Sequence, residues 1–399
     1  MASIVLLLIV LHGWVGWRIA PALAHWSPIA EAAMWVLLCG SALLIPLGFM
    51  SRRRLAGTAP AHAIVWAAFI SMGFFSTLLV LTLLRDALLV VALAAAVGAQ
   101  RIGLPPVPLD ALQAWSAAVV PILAWVATAW GLHNARKVAQ VTRVDVPIAG
   151  LPDALHGFSV VQISDIHVGP TIGEAYLQRI VERVNALNGD MVAITGDLVD
   201  GSVHDLRMQV APLSQLVSRH GSFFVTGNHE YYSGAHAWID ELRGLGVQVL
   251  LNEHRVLHHA SPRGQMDDIR MHGGEPEMVV VAGVADFSAH HFDASHRSDP
   301  VAAMRGAPAA ARLRLLLAHQ PRSALAAVDA GYDLQLSGHT HGGQFWPWMY
   351  FVRFQQPFTA GLRKLGSLWV YTNRGTGYWG PPKRLGVTAE ITFLRLVRA

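Results

Sequence analysis

LQLSGHTHGGQFWP, residues 334–347, sets two histidines one residue apart, directly after an apolar run and directly before two glycines. In an extended segment side chains at i and i+2 point to the same side, so His339 and His341 face one way. The chain holds 20 histidines, however, so this pair alone decides nothing. What decides is whether other strand ends carry the same kind of side chain. Upstream, four of them do: QISDIH (162–167), AITGDLVD (193–200), FVTGNHE (224–230) and LLLAHQP (315–321).

Taken singly, each has an ordinary reading. Asp165 and His167 read as a surface pair, and Asp197 as a residue in a Gly-Asp turn. Asn228 reads as a cap or Asx-turn and His319 as a satisfied strand-end side chain. Together they form one constellation, because ligands of α/β sheets collect where the carboxyl ends of strands diverge. Further apolar runs, among them DMVAITG, SFFVTG, VQVLLNE, EMVVVAGV and LWVYTN, alternate with amphipathic stretches at about 174–187, 204–219, 234–245 and 322–330. Runs this apolar predict strands buried on both faces.

The order Asp-x-His, Gly-Asp, Gly-Asn-His-Glu, His, Gly-His-x-His resembles the calcineurin-like metallophosphoesterase family across residues 155 to 395. SDIHVGP, TGNHEYYSG and SGHTHGGQFWP look most like its membrane-attached, multi-span bacterial branch, which includes UDP-2,3-diacylglucosamine pyrophosphohydrolases. The resemblance implies an α/β fold of two face-to-face mixed β-sheets flanked by helices. It also implies a centre of two divalent metal ions. Asp165, His167, Asp197 and His341 would hold one ion; Asp197 as a bridging carboxylate, Asn228, His319 and His339 would hold the other.

The chemistry agrees with that assignment. Two ions about 3.5–4 Å apart activate a water and clamp a phosphoryl group, and an O/N ligand set without thiolate suits Mn, Fe or Zn. His229 is the expected general acid, since imidazole titrates near working pH; its plain alternative is a hydrogen bond to a neighbouring carboxylate. Asp200 and Glu230 are expected to orient the ligand histidines. Arg374, in YTNRGTGYWGPPKR (371–384), reads either as a phosphate contact with Lys383 and Arg384 or as one of three solvated charges. His290 and His291 read as a lid contact or as surface residues. The aromatics of 345–354 suit either core packing or a bilayer surface.

The rest of the composition bounds these expectations. Only nine Asp, Glu, Lys or Arg fall among residues 1–132, against 47 in the remaining 267. That apolar third is expected to be an all-α transmembrane domain at 1–135, followed by a linker at 136–154 and the phosphoesterase domain at 155–399. A span needs roughly 20 apolar residues, which predicts four or five: 2–23, 32–50, 61–84, 114–132 and, in doubt, 86–99. SRRRLAG at 51–57 should lie on the cytoplasmic side. Four spans then put the C-terminal domain inside and five put it outside, so the side stays open. The lone Cys39 excludes an intrachain disulfide. A net charge of +4 without Lys/Arg runs argues against nucleic-acid binding.

The function expected is a hydrolase of a phosphodiester or pyrophosphate bond, lipid-linked or nucleotide-linked, in a bacterial inner membrane. Two alternatives are a non-catalytic membrane protein with a structural or sensory metal site, and a transporter. Nothing in the sequence bears on the oligomeric state.

Overall fold

A computed structural model describes residues 2–54, 59–105, 107–260 and 276–399. The chain separates into two compact units, one of residues 1–134 with 380–383 and one of 135–379 with 384–399.

The first unit is helical: α1 (Ala2–Leu23), α2 (Pro28–Arg54), α3 (Ala59–Arg101) and α4 (Leu109–Arg136). All four are long and apolar enough to cross a membrane. The doubtful fifth span is not separate. Segments 61–84 and 86–99 fuse into α3, whose 43 residues extend about 65 Å at 1.5 Å per residue. The charged pair Arg85–Asp86 at their junction is satisfied within the bundle. Asp86 accepts from Arg18 at 2.7 and 3.0 Å, and Arg85 donates to Ser116 at 2.9 Å and to the Gln113 carbonyl at 3.2 Å. Val15, Ile19, Leu38, Phe74, Leu78 and Ala124 form the core of the unit. Lys383 also belongs here: it is buried and donates to the carbonyl of Gly73 (3.0 Å) and to the hydroxyls of Thr77 and Thr128.

The second unit contains two six-stranded mixed sheets. One orders β1 (Gln140–Ile148), β12 (Glu390–Arg398), β2 (Ser159–Ile163), β3 (Met191–Ile194), β4 (Ser222–Phe224) and β5 (Gln248–Val249). The other orders β10 (Gly361–Leu365), β11 (Leu368–Thr372), β9 (Leu334–Ser337), β8 (Leu313–Leu317), β7 (Glu277–Gly283) and β6 (Glu253–His259). The stretch expected as a linker therefore contains a strand, β1, which pairs in parallel with β12 from Gln140↔Glu390 to Ile148↔Arg398. The expected strand VQVLLNE breaks into β5 and the start of β6. The stretch 258–275, whose His, Gly and Asp content predicts a loop, lies mostly outside the described residues, at 261–275.

Strand periodicity sorts the side chains into layers. Val160, Met191, Phe223, Leu315, Leu317, Leu334 and Leu336 meet between the sheets. Val161, Ile163, Val192 and Phe224 turn outward, under α5 (Glu174–Asn185), α6 (Val203–Val210) and α8 (Ala235–Gly244). Leu316 and Val370 turn outward under α9 (Pro300–Ala303) and α10 (Ala324–Asp329). Truncating one such central leucine costs about 2–5 kcal/mol, so the frame that carries the strand ends is rigid.

Candidate metal centre

The ends of β2, β3, β4, β8 and β9 deliver the polar residues to one place. Asp165 and His167 follow β2, Asp197 follows β3, Asn228 opens the short helix α7 (Asn228–Ser233) after β4, His319 follows β8, and His339 and His341 follow β9. Five of these adopt left-handed backbone: Asp165 (φ 53°), His167 (56°), Asp197 (52°), His339 (69°) and His341 (50°). Among the described residues only three other non-glycines do so, Asn188, Asn252 and Gln344. Such a conformation costs an L-residue of order 1 kcal/mol and survives only where the surroundings over-determine it.

Two glycines make the approach of the loops feasible. A Cβ at Gly338 would collide with Ser164 and with the Asp165 carboxylate, and one at Gly227 with the Asp197 carboxylate.

The side chains converge in two overlapping groups. His167 Nε2 lies 3.0 Å from His341 Nε2, which lies 3.4 Å from Asp165 Oδ1. On the other side, His319 Nε2 lies 3.2 Å from Asp197 Oδ2 and 3.1 Å from His339 Nδ1. Asp165, His167 and His341 offer ligand atoms within 4.8 Å of one another, and so do Asp197, His319 and His339; Asp197 also groups with His167 and His229. Each facing pair of imidazole nitrogens can share one proton in the metal-free chain, and loss of that proton leaves two lone pairs aimed at one place. Asn228, next to His229 in the chain, adds a further sign: its Oδ1 is buried and has no hydrogen-bond partner. A buried acceptor without a donor is costly, and a cation is the partner the surrounding acceptors and lone pairs suit. These donors fit two divalent ions of the Mn, Fe or Zn kind.

Hydrogen bonds fix the ligands from behind. Asp200 Oδ1 accepts from His167 Nδ1 (3.1 Å) and His229 Nδ1 (2.5 Å), and the Thr195 carbonyl holds His319 Nδ1 at 2.7 Å. Glu230 does not orient a histidine, contrary to the expectation. Its carboxylate accepts the backbone N–H of Asp197, Leu198, Val199 and Gly227, and so shapes the turn that carries Asp197. It occupies the third helical position of α7, where a glutamate reaches back to the cap.

Charges follow from this packing. Burial disfavours a cation at His229, but the neighbouring Asp197 charge and the Asp200 hydrogen bond outweigh it and raise the imidazole to about 9. Burial and the Asp197 charge push Glu230 up to about 7. Burial lowers His339 to about 3, helped by adjacent His319. His319 is held well above the ordinary value, because Asp197 overcomes its burial. Asp200 is likewise held far below the usual carboxylate range by His167 and His229 despite its burial.

Arg374 is paired rather than fully solvated. Its Nη1 donates to the buried Glu390 at 2.7 Å, and its methylene stem passes beside Gly342. His290 and His291 lie against each other in a surface turn, with ring centroids 4.0 Å apart and planes tilted by 41°, and neither joins the cluster. Arg384, grouped with the solvated charges in one sequence reading, is buried. It donates to the carbonyls of His341, Arg374, Gly375 and Gly377, pinning the loop behind His341. No spacing rule pointed to it, because its partners lie seven to 43 residues away in sequence.

Sequence comparison supplies the context. A family profile described as calcineurin-like phosphoesterase matches residues 158–343. A Bos taurus protein named "Transmembrane protein with metallophosphoesterase domain" is 41% identical over 275 residues, covering 67% of this chain and 60% of that one. Its Danio rerio counterpart is 38% identical over 283 residues, covering 70% and 62%. An "Uncharacterized metallophosphoesterase" of Aquifex aeolicus is 30% identical over 255 residues, covering 63% and 90%. This chain thus spans about three fifths of the two vertebrate relatives' length, and the similarity reaches beyond the bacterial branch expected from the motifs. With four helices fit to cross a membrane and relatives named as transmembrane proteins, this is a membrane protein. It belongs to the calcineurin-like phosphoesterase family.

Proposed function

We propose that this chain hydrolyses a phosphodiester or pyrophosphate bond at the membrane, using two divalent ions of Mn, Fe or Zn. Asp165, His167, Asp197 and His341 hold one ion, and Asp197, Asn228, His319 and His339 hold the other. The observation that carries the reading is Asp197: it groups with His319 and His339 on one side and with His167, a member of the other group, at 3.9 Å. When bound, such ions supply Lewis acidity toward phosphoryl oxygens and a water acidic enough to react near neutral pH.

The chain's own residues do the remaining work. Asp200 fixes His229 through Nδ1, which leaves Nε2 for the substrate side. Protonated His229 delivers a proton to the leaving oxygen. Glu230 holds the turn that positions Asp197. The substrate is lipid-linked or nucleotide-linked, and UDP-2,3-diacylglucosamine is the specific pyrophosphate to try first. With four spans, the basic stretch at 51–57 and Arg136, Lys137 and Arg143 fall on one side. The positive-inside tendency then places the second unit in the cytoplasm, at a bacterial inner membrane.

The test uses the full chain in detergent, stripped of metal and refilled with Mn, Fe or Zn in turn. Release of p-nitrophenol from its phosphate diester and monoester is followed, with Asp197→Asn as the blank. Turnover that requires both metal and Asp197 supports the reading. Turnover indifferent to either sinks it. A C-terminal reporter fusion that is active only outside the cytoplasm would overturn the assigned side.

A further inference from the structure

We propose that His236, Asp293 and His296 form a separate binding site for a divalent transition ion of the zinc type. His236 lies in the first turn of α8, while Asp293 caps and His296 ends the 3-10 turn at 294–296. One ligand atom from each lies within 4.8 Å of the others, and none of the three belongs to the central cluster.

The site is built from outside inward. Asp293 Oδ1 accepts from the Ser295 amide (2.9 Å) and hydroxyl (2.6 Å), which turns Oδ2 toward His236 Nε2 at 3.0 Å. The Tyr231 hydroxyl holds His296 through Nδ1 at 2.8 Å and itself lies 3.4 Å from the Thr226 hydroxyl. The rings of His236 and His296 face each other with centroids 5.0 Å apart. Two imidazoles and a carboxylate, with Asp293 and His296 each oriented by a further hydrogen bond and a position open to solvent, make a zinc-type donor set. Calcium and magnesium prefer more oxygen ligands than the site offers. A surface His–Asp pair alone contributes little; a third ligand held from behind by a tyrosine is what an ion requires.

Loading would tie α8 to the segment at 286–297. Phe292 in that segment packs on Tyr231 (5.8 Å) and Tyr232 (5.6 Å), and Tyr232 packs on His229 (5.2 Å). The ion therefore stiffens the aromatic wall next to His229.

The experiment dialyses the full chain in detergent against zinc-buffered solutions and counts zinc per chain. Wild type is compared with His236→Asn/His296→Asn, whose side chains lie near the surface, and with Asp197→Asn. The wild type should hold about one zinc more than the double variant, and Asp197→Asn should retain that ion. Hydrogen exchange gives a second readout. At free zinc about ten times the dissociation constant, amides of 286–297 should exchange about tenfold more slowly in wild type and unchanged in the double variant. Equal zinc content in wild type and double variant, or equal protection of 286–297 in both, overturns the proposal.

Discussion

Asp200 holds two histidines through a single oxygen: its Oδ1 lies 3.1 Å from Nδ1 of His167 and 2.5 Å from Nδ1 of His229. A carboxylate accepts only, so both rings carry their proton on Nδ1 at this junction. Nε2 of His167 is thereby presented to His341 and Asp197, and Nε2 of His229 is left for the cleft. One buried carboxylate thus sets the tautomer of a candidate ligand and of the candidate acid together.

Asp200→Asn should therefore damage catalysis out of proportion to its size. An amide oxygen in place of Oδ1 can still accept from both rings, but the substitution removes the negative charge that helps to keep His229 protonated. Turnover should fall about 100-fold, the scale of general-acid catalysis. The pH profile is the more specific readout. Burial opposes the charge on His229, but Asp197 and Asp200 hold it up to about 9. The protonated form then persists to that pH, and activity declines above it. In Asp200→Asn the alkaline limb should move down toward the ordinary imidazole range near 6.5. A variant with lowered turnover and an unmoved alkaline limb would remove His229 from the acid role.

Asn228→Ala should separate the two ions. Its Oδ1 is buried without a partner, whereas Asp165, His167 and His341 form a group that does not need it. Metal per chain, measured after equilibrium dialysis, should fall by about one, with turnover lost because on the proposed reading both ions of the central cluster act on one phosphoryl group. Unchanged metal content would take Asn228 out of the ligand set.

Metal uptake should release protons. In the metal-free chain Asp197 keeps His319 protonated well above the usual imidazole range, overcoming its burial. A ligand nitrogen must be bare, so filling the site at pH 7 expels that proton. Calorimetry in buffers of different ionisation enthalpy should register about one proton per chain more for wild type than for His319→Gln. Equal release in the two would mean that His319 is already neutral.

How much of this was legible in the sequence depended on how far apart the cooperating residues lie. His339 and His341 stand in one strand-end motif, and Asp165 with His167 in another, so spacing alone put each pair on one side. The left-handed backbone at five of the site residues leaves no mark in residue type, because Asp and His are ordinary in any loop. Glu230 looked like a partner for a histidine, being next to one. Its acceptor role reaches back about 30 residues to the Asp197 turn, which only the folded chain reveals. Strand β1 was taken for linker because its partner, β12, is at the far end of the chain. Nothing local shows that α3 continues through Arg85–Asp86, because Arg18, which pairs with Asp86, lies 68 residues away.

Glu230→Ala should be the most destabilising change at the site. It leaves four backbone N–H groups buried without their acceptor, a loss of about 3–5 kcal/mol. The wild-type carboxyl also makes a signed pH prediction. Burial and the Asp197 charge raise Glu230 from 4.5 to about 7. A folded value above the unfolded one favours the folded state fully below 4.5, and that contribution disappears as pH rises through about 7. The metal-free second unit should thus lose stability between those values, seen as faster hydrogen exchange in 197–199, and bound cations should reduce the slope by offsetting Asp197. A metal-free chain equally protected at pH 4.5 and pH 8 would contradict this.

Within the helical unit, Asp86 is the residue to remove. It takes Arg18 by two hydrogen bonds and Arg85 at 3.1 Å, and Arg85 is almost fully enclosed, with its side chain 4% exposed. Deleting one partner of an enclosed ion pair costs more than the pair contributes, because the remaining charge stays where it is. Asp86→Ala should lower stability in detergent by about 3 kcal/mol. Arg18→Ala should cost less, since Arg18 is a third exposed and Asp86 would retain Arg85. Thermal unfolding of the two single variants and their combination gives the coupling directly. If Asp86→Ala unfolds with wild type, Arg85 is held well enough by Ser116 and the Gln113 and Arg18 carbonyls, and the continuity of α3 through residue 85 does not depend on the carboxylate.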